Sequence, residues 1–193
     1  MINPIYEEFP ENIEILGKSY QIITDFREWI RFSDMMNDAD LSSEEKIFLL
    51  KNWFTELPEI ITKPLIDAVF SFYRADELEL KKSYSDDEND GNNQEIKRPP
   101  MLDWKIDAKC IIGDFQRFYG INLLESEMHW WRFRCLFSAL PDDSQVQKRI
   151  SIRSRDLSKI KDSSERQRIM EIQRKIAIPF EYDDDTVCTI FDC

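Results

Sequence analysis

The chain is expected to be mainly α with one N-terminal β-hairpin, and three observations predict this. It holds four glycines in 193 residues, too few for the many tight turns of a mainly β architecture. Leu, Glu, Lys, Arg, Met and Ile dominate, with apolar residues recurring at intervals of three and four, the period of amphipathic helices. Only EILGKSYQI, residues 14–22, alternates apolar and polar residues on both sides of a turn signal. That stretch is expected to form a hairpin turning at Gly17–Lys18.

The elements then follow in chain order. Two strands alone are marginal in water, so the hairpin must pack on a helix. Thr24 or Asp25 can cap a helix whose apolar face carries Phe26, Trp29, Ile30 and Met36. Ser42 and Glu45 form a capping box ahead of KIFLLKNWF. A third helix follows Pro64, with Leu65, Val69, Phe72 and Tyr73 inward. Residues 75–100 turn polar and acidic and end in Pro99–Pro100. Such a composition buries too little apolar surface to offset the entropy of ordering it, so 83–100 is expected to be a disordered acidic linker.

A C-terminal helical bundle is expected beyond the linker. Its first helix has Asp103 as cap, Trp104, Ala108, Ile111, Ile112, Phe115 and Phe118 on one face, and Gly120 as stop. The apolar segment ending at Pro141 comes next, then helices over roughly 142–155 and 163–178, the last stopped by Pro179. The expected organisation is therefore 1–82 for the hairpin and first helices, 83–100 for the linker, 101–179 for the helical region and 180–193 for an acidic tail.

A net charge of −12 argues against general binding to nucleic acid or to an anionic membrane. No apolar run is long enough to span a bilayer. MINPIYEEFPENIE lacks the basic and apolar regions of a signal peptide, which points to the cytosol. Cys110, Cys135, Cys188 and Cys193 stand in no C-x-x-C pair, so no zinc site is expected. Cys110 and Cys135 are expected to be small buried hydrophobes, and all four thiols reduced.

The densest cluster is EMHWWRFRCLFSALPDD, residues 127–143. On a helix, Trp130, Phe133 and Phe137 form one stripe and Met128, Trp131 and Cys135 another. A helix apolar on nearly every side belongs among its neighbours, so Trp130, Trp131, Phe133 and Phe137 are expected to be structural core rather than a stacking site for a ligand. Arg132 and Arg134 can lay their stems on that surface with their heads in water. His129 has no second histidine to work with and is expected to pair with Glu125 one turn back, in a structural role.

No phosphate loop, nucleophile elbow or paired-histidine motif occurs, and SDDENDGNN lacks calcium-loop spacing. No catalytic residue, metal ligand or cofactor site is assigned. Residues 147–175 hold ten Lys and Arg against four Asp and Glu. Arg153, Arg155, Lys159 and Lys161 are the candidate partner-binding residues there. They could meet an acidic protein surface, including this chain's own linker and tail, or nucleic-acid phosphates. No aromatic residue is interleaved for stacking on single strands, which ranks protein above nucleic acid.

Three stretches carry a resemblance: DWKIDAKCIIGDFQRFYGINL, then MHWWRF, then ISIRSRDLSKIKD, with GKSYQIITDFREWIRFSDMM near the N-terminus. Together they resemble the bacteriophage family encoded just before the tape-measure protein in long-tailed phages of Gram-positive bacteria. The H-W-W-x-F block is the most specific part, and Met128 departs from the leucine expected before the histidine. The resemblance covers most of the chain outside linker and tail. It implies a non-enzymatic tail assembly chaperone without cofactor, which holds the tape-measure protein soluble and recruits tail-tube subunits. It also implies a place in the host cytoplasm and absence from the mature virion, and it allows a homo-oligomer. The rival readings are a nucleic-acid-binding phage regulator using the basic helices at 147–175 and an enzyme built around His129.

Overall fold

The computed structural model describes residues 2–56, 58, 61–78 and 100–179. The expected linker, apart from Pro100, and the acidic tail lie outside the described residues. In chain order the elements are strands β1 (Asn12–Ile15) and β2 (Lys18–Gln21), then helices α1 (Phe26–Asn37), α2 (Ser43–Leu49) and α3 (Lys63–Arg74). Helices α4 (Ala108–Tyr119), α5 (Trp130–Ser138), α6 (Gln145–Ser154) and α7 (Ser163–Ile176) follow. Short 3-10 turns occupy Leu50–Trp53 and Leu157–Lys159. The chain is mainly helical with an N-terminal hairpin, as its glycine poverty and apolar spacing predict.

Two compact units form. The first holds β1, β2, α1, α2, α3 and α5. The hairpin pairs Ile15 with Lys18 and Ile13 with Tyr20. Its turn is Leu16–Gly17, one residue earlier than expected, with φ of +51° and +78°. Two left-handed residues give the twist that a two-residue hairpin needs. Ile13 and Ile15 are buried on one side of the strand.

Asp25 is the N-cap of α1, its carboxylate accepting from the Arg27 N–H. Ser42 and Glu45 form the expected capping box on α2, and Pro64 sits in the first turn of α3. Helix α5 starts beside α1: the Phe26 N–H donates to Met128 O at 2.9 Å, and the Trp130 N–H donates to Thr24 O at 2.7 Å. Met128 and His129 are therefore extended backbone ahead of the helix rather than part of an apolar stripe on it. The grouping of 101–179 as one helical region is corrected here, because residues 126–139 pack within the first unit. A segment apolar on almost every side needs surrounding partners, and the rings of Phe26, Phe72 and Tyr73 pack on Phe133, Trp131 and Trp130 there.

The second unit holds α4, α6 and α7. Its core includes Ile111, Phe115, Leu123, Leu140, Val146 and Ile169. Gly120 ends α4 as expected, at φ +67°. Its N–H and that of Ile121 donate to Gln116 O and Phe115 O, the paired bonds of a left-handed helix stop. Asp103 does not cap α4. Its carboxylate takes the Lys105 and Ile106 N–H groups at 2.9 and 2.7 Å in the preceding turn, and Asp107 occupies the N-cap position.

Candidate functional site

The paired tryptophans have a structural task. The last carbonyls of a helix have no partner within it, and α3 ends at Arg74. The Trp130 indole N–H donates to Tyr73 O at 2.8 Å, and that of Trp131 donates to Phe72 O at 2.7 Å. Arg134 adds a guanidinium N–H to Tyr73 O at 2.8 Å, so its head is not simply in water. Trp130, Trp131 and Phe133 are 2%, 1% and 0% exposed. Phe133 stacks on Phe26 at 4.7 Å. Phe137, expected in the core, is only half-buried at the end of that stack. Cys135 is exposed rather than buried, and Cys110 is half-buried.

His129 is the N-cap of α5 and not a member of the helix. Its Nδ1 accepts the Trp131 N–H at 3.0 Å, so Nδ1 is unprotonated and the ring is neutral. The remaining proton sits on Nε2, which donates to Pro10 O at 3.1 Å. Burial pushes its pKa down, against upward pulls from the Pro10 carbonyl and Glu11. The expected surface pair with Glu125 is replaced by these two bonds. Both nitrogens are occupied, which leaves neither free for proton transfer in this arrangement.

In the second unit the basic segment divides. Arg153 leaves the candidate partner-binding set: its side chain is 5% exposed and salt-bridged to a fully buried Asp107 at 2.5 Å. It also donates through Nη2 to Asp107 Oδ1 at 2.9 Å, through Nε to Ile176 O at 2.8 Å and through Nη1 to Met101 O at 2.9 Å. One guanidinium thus ties together the start of α4, the end of α7 and the segment before α4. Arg149 gives Asp107 a further bond at 3.0 Å. Burial works to raise the Asp107 pKa, but the bonds from Arg153, the Asp103 N–H and Arg149 outweigh it and hold the carboxyl below its usual range. Asp114, equally buried, accepts the Gln145 and Val146 N–H groups at 3.0 and 2.8 Å and so caps α6 from α4. Sequence reasoning missed both acids. The signal for Asp114 was a carboxylate within the apolar pattern of α4, where a charge needs dedicated partners, and for Asp107 one directly ahead of it.

A family model described as Bacteriophage Gp15 protein matches residues 5–178. The chain belongs to the bacteriophage Gp15 protein family. Searches of curated proteins and of solved structures each returned no match. The family match spans elements of both units, including the His-Trp-Trp segment that completes the first.

What this Gp15-family chain presents to a partner is the exposed remainder. Arg155, Lys159 and Lys161 are exposed, joined by Lys148, Arg166, Arg168, Arg174 and Lys175. These eight cations face four exposed acids, Asp156, Asp162, Glu165 and Glu171. Lys159 lies 3.8 Å from Asp156, and Arg166 is turned to Ile160 O at 2.6 and 3.0 Å. The net positive surface is smaller than the sequence count suggests, because Arg149 and Arg153 are spent on Asp107. The first unit exposes the apolar side chains of Ile5, Tyr6, Leu16, Ile47 and Phe48, and the second those of Ile106 and Leu124. Among the described residues no group of three or more His, Cys, Asp or Glu is placed to hold a metal ion. No described helix is long and apolar enough to cross a membrane.

Proposed function

We propose that this bacteriophage protein is a tail assembly chaperone that binds the tape-measure protein and tail-tube subunits during tail morphogenesis, without chemical turnover. The reading places it in the host cytoplasm and outside the finished virion. The observation that carries it is the bacteriophage family match over residues 5–178, taken with the resemblance of the H-W-W-x-F and D-L-S-K-I-K-D segments to the chaperones encoded beside the tape measure. The physical character of the surface supports it. Helix α2 buries none of its residues, leaving Ile47 and Phe48 available to an apolar client. Arg155, Lys159 and Lys161 would steer an acidic partner into contact.

Co-expression with the tape-measure protein tests the reading. The client should be soluble with this protein and aggregate without it, because large exposed apolar patches drive association. Substituting Ile47→Glu and Phe48→Glu together should reduce the soluble client while leaving the chaperone folded. An equally insoluble client with or without the protein would contradict the reading.

A further inference from the structure

The hairpin has one covered edge and one open edge. Backbone N–H and C=O groups of one residue in an antiparallel ladder point to the same side and alternate along the strand. The pairing of Ile13 with Tyr20 and Ile15 with Lys18, and the bond from the Ile22 N–H to Glu11 O at 2.9 Å, fix the phase. Residues 11, 13 and 15 turn towards β2, and Asn12 and Glu14 turn away from it. The outer edge of β2 is covered: Gln21 O accepts the Thr55 N–H at 3.2 Å, and the Ile23 N–H donates to Trp53 O at 2.8 Å. On the outer edge of β1, no described residue pairs with the main chain of Asn12 or Glu14.

A cleft of about 390 Å³ lies along that open edge. Asn12, Ile13 and Glu14 all line it. Successive strand side chains point to opposite faces, so three consecutive residues share one cleft only along the strand's edge. The facing wall comes from α3, including the small side chains of Ala68 and Ser71. Both ionisable residues that line the cleft, Glu14 and Glu77, are acids.

We propose that this cleft takes an extended, basic segment of a partner protein as a third strand beside β1. The N–H and C=O groups of Asn12 and Glu14 supply the ladder, as in other cases of strand addition to a sheet edge. The α3 wall admits small or β-branched side chains on one side of the added strand. Lysine or arginine on that strand meets Glu14 and Glu77, which sets the charge of the partner. An uncovered edge is otherwise a liability that natural sheets blunt or pair. The inference stands apart from the tail-assembly reading, since any protein with such a segment would satisfy it.

The test uses the full chain and the peptide acetyl-(Val-Lys)3-amide, with amide hydrogen exchange read residue by residue. The Asn12 and Glu14 amides should exchange rapidly in the free protein and become protected when peptide is added. The same peptide N-methylated at alternate residues, and its glutamate-for-lysine counterpart, should each bind at least about tenfold more weakly, having lost ladder bonds or charge complementarity. Asn12→Pro removes an outward N–H that the β1–β2 ladder does not use, which edge strands tolerate. It should weaken the peptide similarly at an unchanged melting temperature, and Ala68→Phe should do so by filling the cleft from α3. Protection of both amides in the free protein, by the chain itself or by a second copy, overturns the proposal. Equal binding of the N-methylated peptide overturns it, and so does absence of binding at millimolar peptide.

Discussion

Trp131 and Arg153 show how much single residues carry in the two units. Trp131 is 1% exposed and its indole serves a carbonyl at the end of α3. Trp131→Ala should therefore cost about 3–5 kcal/mol in chemical denaturation, from lost burial and a residual cavity. Trp131→Phe should cost less, retaining most of the bulk but leaving Phe72 O without the indole donor. Arg153→Ala leaves the buried Asp107 carboxylate with Arg149 and the Asp103 N–H but without its main cation, and should destabilise by about 3–5 kcal/mol. Arg155→Ala, two residues on and exposed, should stay within about 0.5 kcal/mol; equal costs at 153 and 155 would refute the buried ion cluster. His129 adds a pH dependence. Its folded pKa is depressed by burial, so the unfolded chain binds a proton that the fold excludes. Its contribution is complete above the ordinary histidine value, about 6.5, and is lost as pH falls below it. His129→Asn keeps an N-cap acceptor and should flatten the fall in melting temperature from neutral to mildly acidic pH. A variant with the wild-type slope would show that His129 does not titrate in that window.

At the scale of elements, what could be read from sequence was what is local. Asp25, the Ser42–Glu45 box and Gly120 act within four residues of their own position, so their helix boundaries were legible from spacing alone. The hairpin was legible as a hairpin, but its turn was misplaced by one residue because Leu16 takes a left-handed conformation that favours Gly and Asn. That misfit yields a prediction. Leu16 is 89% exposed, so Leu16→Asn should stabilise the protein by about 1 kcal/mol through relief of backbone strain. A lower melting temperature for this variant would count against the turn assignment. Asp114 illustrates the opposite case, since the N–H groups it caps lie 31 and 32 residues away. No pattern within α4 names them. Asp107 and Arg153 are 46 residues apart, which is why Arg153 read as a surface cation when only its neighbours in sequence were considered.

At the scale of the whole molecule, the helix carrying Trp130 and Trp131 packs with elements that precede it by more than fifty residues. Sequence order suggested a division at the acidic stretch, but the apolar character of 126–139 required partners that α1 and α3 supply. That the chain belongs to a bacteriophage protein family was legible, because the resemblance rests on contiguous motifs rather than on distant contacts. Among the described residues the basic segment is reduced by internal pairing, and α2 exposes Ile47 and Phe48 on the first unit. On the proposed reading, these two features serve an assembly partner of a long apolar client. Charge reversal at Arg155 and Lys161 should accordingly slow association with an acidic tail protein more than it speeds dissociation. The most direct test is affinity purification of the full chain from cells that also express the phage's tape-measure and tail-tube proteins, with and without nuclease. Recovery of tape-measure and tail-tube proteins unaffected by nuclease is the predicted result; recovery of DNA with no tail protein would contradict the account.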